Sequence, residues 1–153
     1  MEHAIVQQME PSGEQWPAIT WQGSDLLVTA GAGSGKTRTL VARYLSLLAE
    51  GLPLRSVVAV TFTRKAAREM RNRVRLQVQR YLGAIDSAGP GDLAGGRQYW
   101  MELYGALDAA RIGTIHSLCS EFLRAHPAEA GVDPRFEVLD EAQVGLLRQQ
   151  AVE

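Results

Sequence analysis

Eight consecutive residues, Ala30-Gly31-Ala32-Gly33-Ser34-Gly35-Lys36-Thr37, combine three glycines with a terminal lysine and hydroxyl. A backbone that must turn its N–H groups toward an anion needs positions without a Cβ, and glycine supplies them. A helix beginning at Gly35 would aim its positive end at the same anion. In this pattern the lysine reaches the β- and γ-phosphates of a nucleotide and the following hydroxyl shares Mg²⁺. The expected ligand is therefore ATP with Mg²⁺, with Lys36 and Thr37 the expected catalytic participants and Thr37 the metal-holding hydroxyl. Ala30 stands where such loops usually open on glycine. The bland alternative is a glycine-rich turn that happens to end in Gly-Lys-Thr; the strand pattern before it and the helix pattern after it speak against that.

Other side chains with chemical capacity flank this loop. Gln15 follows Ser12-Gly13-Glu14, and its amide offers an acceptor and two donors that suit the edge of adenine. Standing alone, it would read as a surface glutamine in a capped helix. Thr61-Phe62-Thr63-Arg64 ends a second apolar run. Its hydroxyls can meet phosphate oxygens. Phe62 can stack on a base or be simply core. From Arg64 to Arg80 lie seven basic residues against one acid, Glu69, in a chain of net charge −1. Such a segment is either a surface for a polyanion or a solvated helix face. Arg64, Arg68, Arg71 and Arg75 fall on one helical face, whereas Arg73 and Arg80 project elsewhere. His116 by itself is more often a structural histidine than a ligand.

The elements that must position these residues alternate. Leu26-Leu27-Val28 reads as a short buried strand leading into the loop. Lys36 to Glu50 reads as a helix with Leu40, Tyr44, Leu47 and Leu48 on one face, ended by Gly51 and Pro53. Val57 to Phe62 is a second buried strand. A long helix from about Thr63 to Ala84 carries the apolar stripe Ala67, Met70, Val74, Val78 and Tyr81. Gly83 to Gly96 is glycine-rich and reads as a flexible insertion. Helix is expected from about Arg97 to Ala109, a short strand over Arg111–Thr114, and helix again from Ile115 to about Glu129. A short extended stretch and a helix still running at Glu153 close the chain. Buried strands alternating with helices imply an α/β fold, a parallel sheet flanked by helices.

Taken together and in order, AGAGSGKTRTL (30–40), AVTFTRKAAREMRNRV (59–74) and GTIHSLCSEFLR (113–124) resemble the start of UvrD/Rep-type superfamily 1 DNA helicases. The resemblance runs from Gln15 to about Glu141. It implies a P-loop NTPase, RecA-like domain in which Gln15 reads adenine, Gly31 to Thr37 hold the phosphates and Arg38 lies beside the nucleotide. It also implies that Thr61, Phe62, Thr63 and Arg64, with Thr114 and His116, contact single-stranded DNA. Arg64 stands where many relatives carry asparagine. The stretch from His126 to Glu141 is closer to AddA/RecB-type helicase–nuclease subunits, which implies action at DNA ends, recombination repair, and a partner subunit; the nuclease of such proteins lies far downstream.

Val138-Leu139-Asp140-Glu141 imitates the acid pair that positions Mg²⁺ and water. Only two apolar residues precede Asp140, too few for a central strand, and Asp140 with Gln143 fits an acidic capping box. In the resembled family the catalytic acids come later. Residues 1–153 are thus expected to be the N-terminal portion of the first RecA-like domain, incomplete and inactive alone, binding Mg-ATP weakly without hydrolysing it or unwinding DNA. DNA-stimulated phosphate release lost in Lys36→Ala would instead promote Asp140 and Glu141 to catalysts. Two rivals remain: another P-loop enzyme such as a small-molecule kinase, or a non-catalytic nucleotide- or DNA-binding remnant. No apolar run approaches the roughly 18 residues of a membrane span, and no secretory signal opens the chain. Cys119 is the only cysteine, so no internal disulfide can form, and it is expected to be a small buried hydrophobe. A cytoplasmic location without a membrane partner is the expectation.

Overall fold

Ala67, Met70, Val74 and Val78 recur three or four residues apart, and all four are buried in the computed structural model. They line one side of the longest element, α4 (Arg64–Ala88). The structure describes residues 3–31, 33–88, 94–139, 143–144 and 149. Residues 1–114 and 115–153 pack as two separate units.

In the first unit, α1 (Ala4–Gln7) and α2 (Trp16–Ile19) pack on α3 (Lys36–Ala49). Strand β1 (Val58–Thr61) leads into α4. Then α5 (Ala94–Ala106) and a 3₁₀ turn, Leu107–Ala109, lead into β2 (Arg111–Thr114). The strands are parallel, with Val58 opposite Arg111 and Thr61 opposite Thr114. Parallel neighbours need a long crossover, which α4 and α5 supply. The core joins Ile5 and Val6 of α1, Val41, Leu45 and Leu48 of α3, Met70, Val74 and Val78 of α4, Trp100 and Leu103 of α5, and Ile112 of β2. The expected α/β class is therefore present as two parallel strands with helices packed around them. Helix α1 carried no periodic signal because it is only four residues long, yet its Ile5 and Val6 are among the most buried side chains.

Four expectations are corrected here. Leu26-Leu27-Val28 forms no strand, and Leu27 is 88% exposed. A strand exists only through its ladder, and no segment among the described residues pairs with this one. The insertion expected over 83–96 is helical at 83–88 and 94–96, while 89–93 lie outside the described residues. Glycine inside a helix costs about 1 kcal/mol. Burial of Ile85, worth about 1.5–3 kcal/mol for such a side chain, carries the helix past Gly83. Asp86 then meets Arg97 at 2.6 Å, tying the end of α4 to α5; that hydrogen bond holds the Asp86 carboxyl below its ordinary range.

The third and fourth corrections lie in the second unit. The helix expected to run to about Glu129 divides into α6 (Ile115–Ala125) and α7 (Pro127–Ala130). Proline cannot donate to the preceding turn, but is at home in the first turn of a new helix. Arg124 lies 4.8 Å above the Phe136 ring and donates to the Phe136 carbonyl at 3.3 Å, holding Phe136 to α6. No residue of α6 is buried, so Cys119 is exposed and not the buried hydrophobe expected of it. The expected capping pair Asp140–Gln143 falls partly outside the described residues, as do Glu141 and most of the closing helix.

Candidate functional site

The phosphate loop owes its shape to two glycines. Gly33 has φ of +76° and Gly35 of +83°, a region that costs side-chain-bearing residues steric strain. A Cβ built at Gly31 or Gly33 would meet nothing within 4 Å, so the space before these positions is open. Gly35 caps α3: its carbonyl accepts from the Thr39 amide at 2.9 Å. Lys36, the first residue of α3, folds back so that Nζ donates to the carbonyls of Ala30 at 2.9 Å and Gly31 at 2.7 Å. The Ser34 hydroxyl donates to Gly31 O at 2.8 Å. The Thr37 side chain is exposed and has no partner among the described residues. Ala32 lies outside them.

Gln15 reaches this loop from α2. Its Nε2 donates to the Ser34 carbonyl at 3.3 Å, and its Oε1 accepts from the Ser12 amide at 3.1 Å. An amide has two donor protons and two acceptor lone pairs, so one of each is left over. Both Gln15 and Lys36 line a cavity of about 620 Å³, a size in the usual range for a small-molecule site. Two of its walls went unforeseen. Trp21 lines it while lying across Gly23, where an added Cβ would come within 2.4 Å of the indole. Arg43 lines it too, its guanidinium donating to Ile19 O at 2.8 Å. The signal for Arg43 was available: Lys36, Thr39, Leu40 and Arg43 fall at i, i+3, i+4 and i+7, one face of α3. Leu40, expected in the core, lies on this cavity face, while Tyr44 and Leu48 of the expected face are buried, joined by Val41 and Leu45. Arg38 is held away from the cavity, donating to the Glu10 carbonyl at 2.8 Å.

The turn from β1 to α4 gathers the next set. The Thr61 hydroxyl has acceptors in Thr63 O at 3.0 Å and Gly113 O at 3.3 Å. Its single proton has the turn carbonyl of Thr63 as the nearer acceptor and Gly113 of β2 as the second. Thr63 caps α4: its Oγ1 accepts from the Ala66 amide at 3.1 Å and its carbonyl from the Ala67 amide. Because Oγ1 only accepts there, the hydroxyl proton remains free to donate. Phe62 is 94% exposed, which removes the core alternative. Arg64 is exposed at the first residue of α4, and Thr114 is half-buried opposite Thr61. His116 belongs to the second unit, exposed in the first turn of α6.

Comparison with known proteins gives the chain a family. The model of the UvrD/REP helicase N-terminal domain matches residues 12–153. Among curated proteins, the chain is similar to the AddA subunit of the ATP-dependent helicase/nuclease of Heliobacterium modesticaldum, 38% identical over 92% of the chain and 9% of that protein. The protein of the same name from Limosilactobacillus fermentum is 36% identical over 92% of the chain and 10% of its own length. That of Oceanobacillus iheyensis is 38% identical over 92% and 11%. The chain spans about a tenth of the length of these relatives. With a family match over nearly the whole chain, in the order loop, β1–α4 turn and β2–α6 junction, this protein belongs to the UvrD/REP helicase N-terminal domain family.

Proposed function

We propose that residues 1–153 are the ATP-binding N-terminal portion of the first RecA-like motor domain of a DNA helicase that translocates on single strands. The observation that carries this reading is the cavity shared by Gln15 and Lys36 beside a loop with open space at Gly31 and Gly33. Its size fits a nucleotide. Lys36, once released from its two carbonyls, would hold the β- and γ-phosphates, and backbone amides of Gly31 to Thr37 would surround them. Gln15 has a donor and an acceptor left for an adenine edge. No cluster of His, Cys, Asp and Glu among the described residues could hold a metal unaided. Mg²⁺ would therefore be shared between the Thr37 hydroxyl and the phosphate oxygens. Bound to ATP, it neutralises charge on the phosphoryl group.

Single-stranded DNA is the proposed polymer. The exposed Phe62 ring is available for base stacking, and the Thr63 hydroxyl and Arg64 guanidinium for phosphate. Thr114 and His116 are assigned to the strand by family likeness, and Thr61 to holding the turn. The relatives named for an ATP-dependent helicase/nuclease support placing the parent protein in processing of DNA ends for repair, in the cytoplasm, with a second subunit. Among the described residues no helix is long and apolar enough to cross a membrane. A small-molecule kinase gives no account of a solvent-facing phenylalanine at a capped basic helix.

The test is binding of a labelled oligothymidylate to this chain, followed by anisotropy. Phe62→Ala is expected to weaken binding by one base stack, about 1–3 kcal/mol. Absence of any affinity for single strands, with phosphoryl transfer to a small acceptor, would overturn the reading.

A further inference from the structure

We propose that a second nucleic-acid phosphate site lies along α4, in a pocket between that helix and the segment 107–112. The inference rests on the single-strand reading above and extends its footprint. The pocket encloses about 320 Å³ and is walled by Arg68, Arg71, Asn72, Arg75 and Asp108. That is about ten water volumes at ~30 Å³ each, room for a phosphodiester with its hydration. Its floor is apolar, since Val74, Leu107 and Ile112 are buried.

The arginines of the pocket are not equivalent. Arg75 is fixed: it meets Asp108 at 2.6 Å and lies 5.5 Å from the Tyr104 ring centre. Arg68, Arg71 and Asn72 have no side-chain partner among the described residues. Nearby, Arg73 pairs with Glu69 and Arg97 with Asp86, while Arg64 and Arg80, outside the pocket, have no side-chain partner among the described residues. Three guanidinium groups against one carboxylate leave a net positive pocket, over an apolar floor that weakens screening. Two unpaired guanidinium forks and an amide donor suit the several acceptor oxygens of one phosphate. A nucleic-acid strand is favoured over an acidic peptide by position. Seven residues separate Arg64 from Arg71, about 10 Å along the helix, a span that neighbouring phosphates of one strand can cover. A strand stacked on Phe62 and bonded to Thr63 would thus run along α4 into the pocket.

The test is the salt dependence of oligothymidylate binding to this chain and its variants. The double variant Arg68→Gln, Arg71→Gln is expected to bind about tenfold more weakly, with a log K against log salt slope shallower by ~0.7 for each phosphate no longer neutralised. Arg80→Gln, on the same helix outside the pocket, should match the parent. Asp108→Asn should tighten binding, because Arg75 is then free to join the phosphate. If the double variant keeps the parental slope while Phe62→Ala still weakens binding, the pocket is not a phosphate site and the single-strand reading stands. If the parent chain binds no oligonucleotide at all, both fall. Displacement by polyglutamate as effective as by unlabelled oligonucleotide, at equal ionic strength, would overturn the phosphate assignment.

Discussion

The Gln15 side chain donates to the backbone carbonyl of Ser34 at 3.3 Å, joining the candidate base-reading residue to the candidate phosphate loop. Anything that moves the loop therefore moves the amide. Its remaining donor and acceptor match the two-point pattern that glutamine offers adenine. Gln15→Ala is expected to lower affinity for ATP and to erase preference over GTP, a loss of about 1–3 kcal/mol. Competition of the two nucleotides against a fluorescent analogue reads this directly; an unchanged ATP-to-GTP ratio would remove Gln15 from base recognition.

Trp21 is the one indole of the three that lines the candidate nucleotide cavity. Its emission should change as ATP is added, while Trp16 and Trp100 provide a constant background. In Trp21→Phe the nucleotide-dependent change should vanish with binding retained by calorimetry. A full signal surviving in that variant would place the nucleotide elsewhere.

Thr63 and Phe62 are adjacent yet should separate cleanly in stability. Thr63→Ala removes the bond to the Ala66 amide at the start of α4, and a lost cap of this kind costs about 0.5–2 kcal/mol. Phe62 is almost wholly solvent-facing, so Phe62→Ala should change stability by less than ~0.5 kcal/mol. Urea denaturation of both variants checks the contrast, which equal destabilisation would contradict.

Tyr44 is 3% exposed, and its hydroxyl has no partner among the described residues. Burial pushes its pKa up to about 12. The unfolded tyrosine ionises near 10, so from that pH the unfolded state binds fewer protons than the folded one and stability falls as pH rises toward 12. Below pH 10 this term is constant. Tyr44→Phe should flatten the alkaline loss between pH 10 and 12. At neutral pH it should be neutral or stabilising, because an unsatisfied buried hydroxyl costs about 1–3 kcal/mol. Thermal melts of both proteins across that range decide it.

What could be read from the residues alone follows the reach of each physical signal. The α4 stripe was legible because four buried positions repeat at helical spacing, and the glycine loop because positive φ at Gly33 and Gly35 demands that residue type. The end of α4 was not legible: the local propensity of Gly83 pointed one way and the burial of Ile85 decided the other. Leu26-Leu27-Val28 misled for the opposite reason, since an apolar run says nothing about whether a ladder partner exists. Trp21 escaped because its place on the cavity wall is set by tertiary approach, whereas Arg43 shares one face of α3 with Lys36 and was readable from spacing. For Thr61 the residue type was noticed, but only the geometry distinguishes a hydroxyl spent on Thr63 and Gly113 from the one Thr63 keeps free.

The most direct test of the account is calorimetric titration of Mg-ATP into this chain and into Lys36→Ala. Lys36 is exposed and bonded only to loop carbonyls, so the variant should fold normally by circular dichroism. The parent is expected to bind one equivalent, and the variant about 10–100-fold more weakly, the loss of a charge-assisted bond of about 1.5–3 kcal/mol. Equal binding by the two proteins, or none by a well-folded parent, would contradict the assignment of this loop as the nucleotide site.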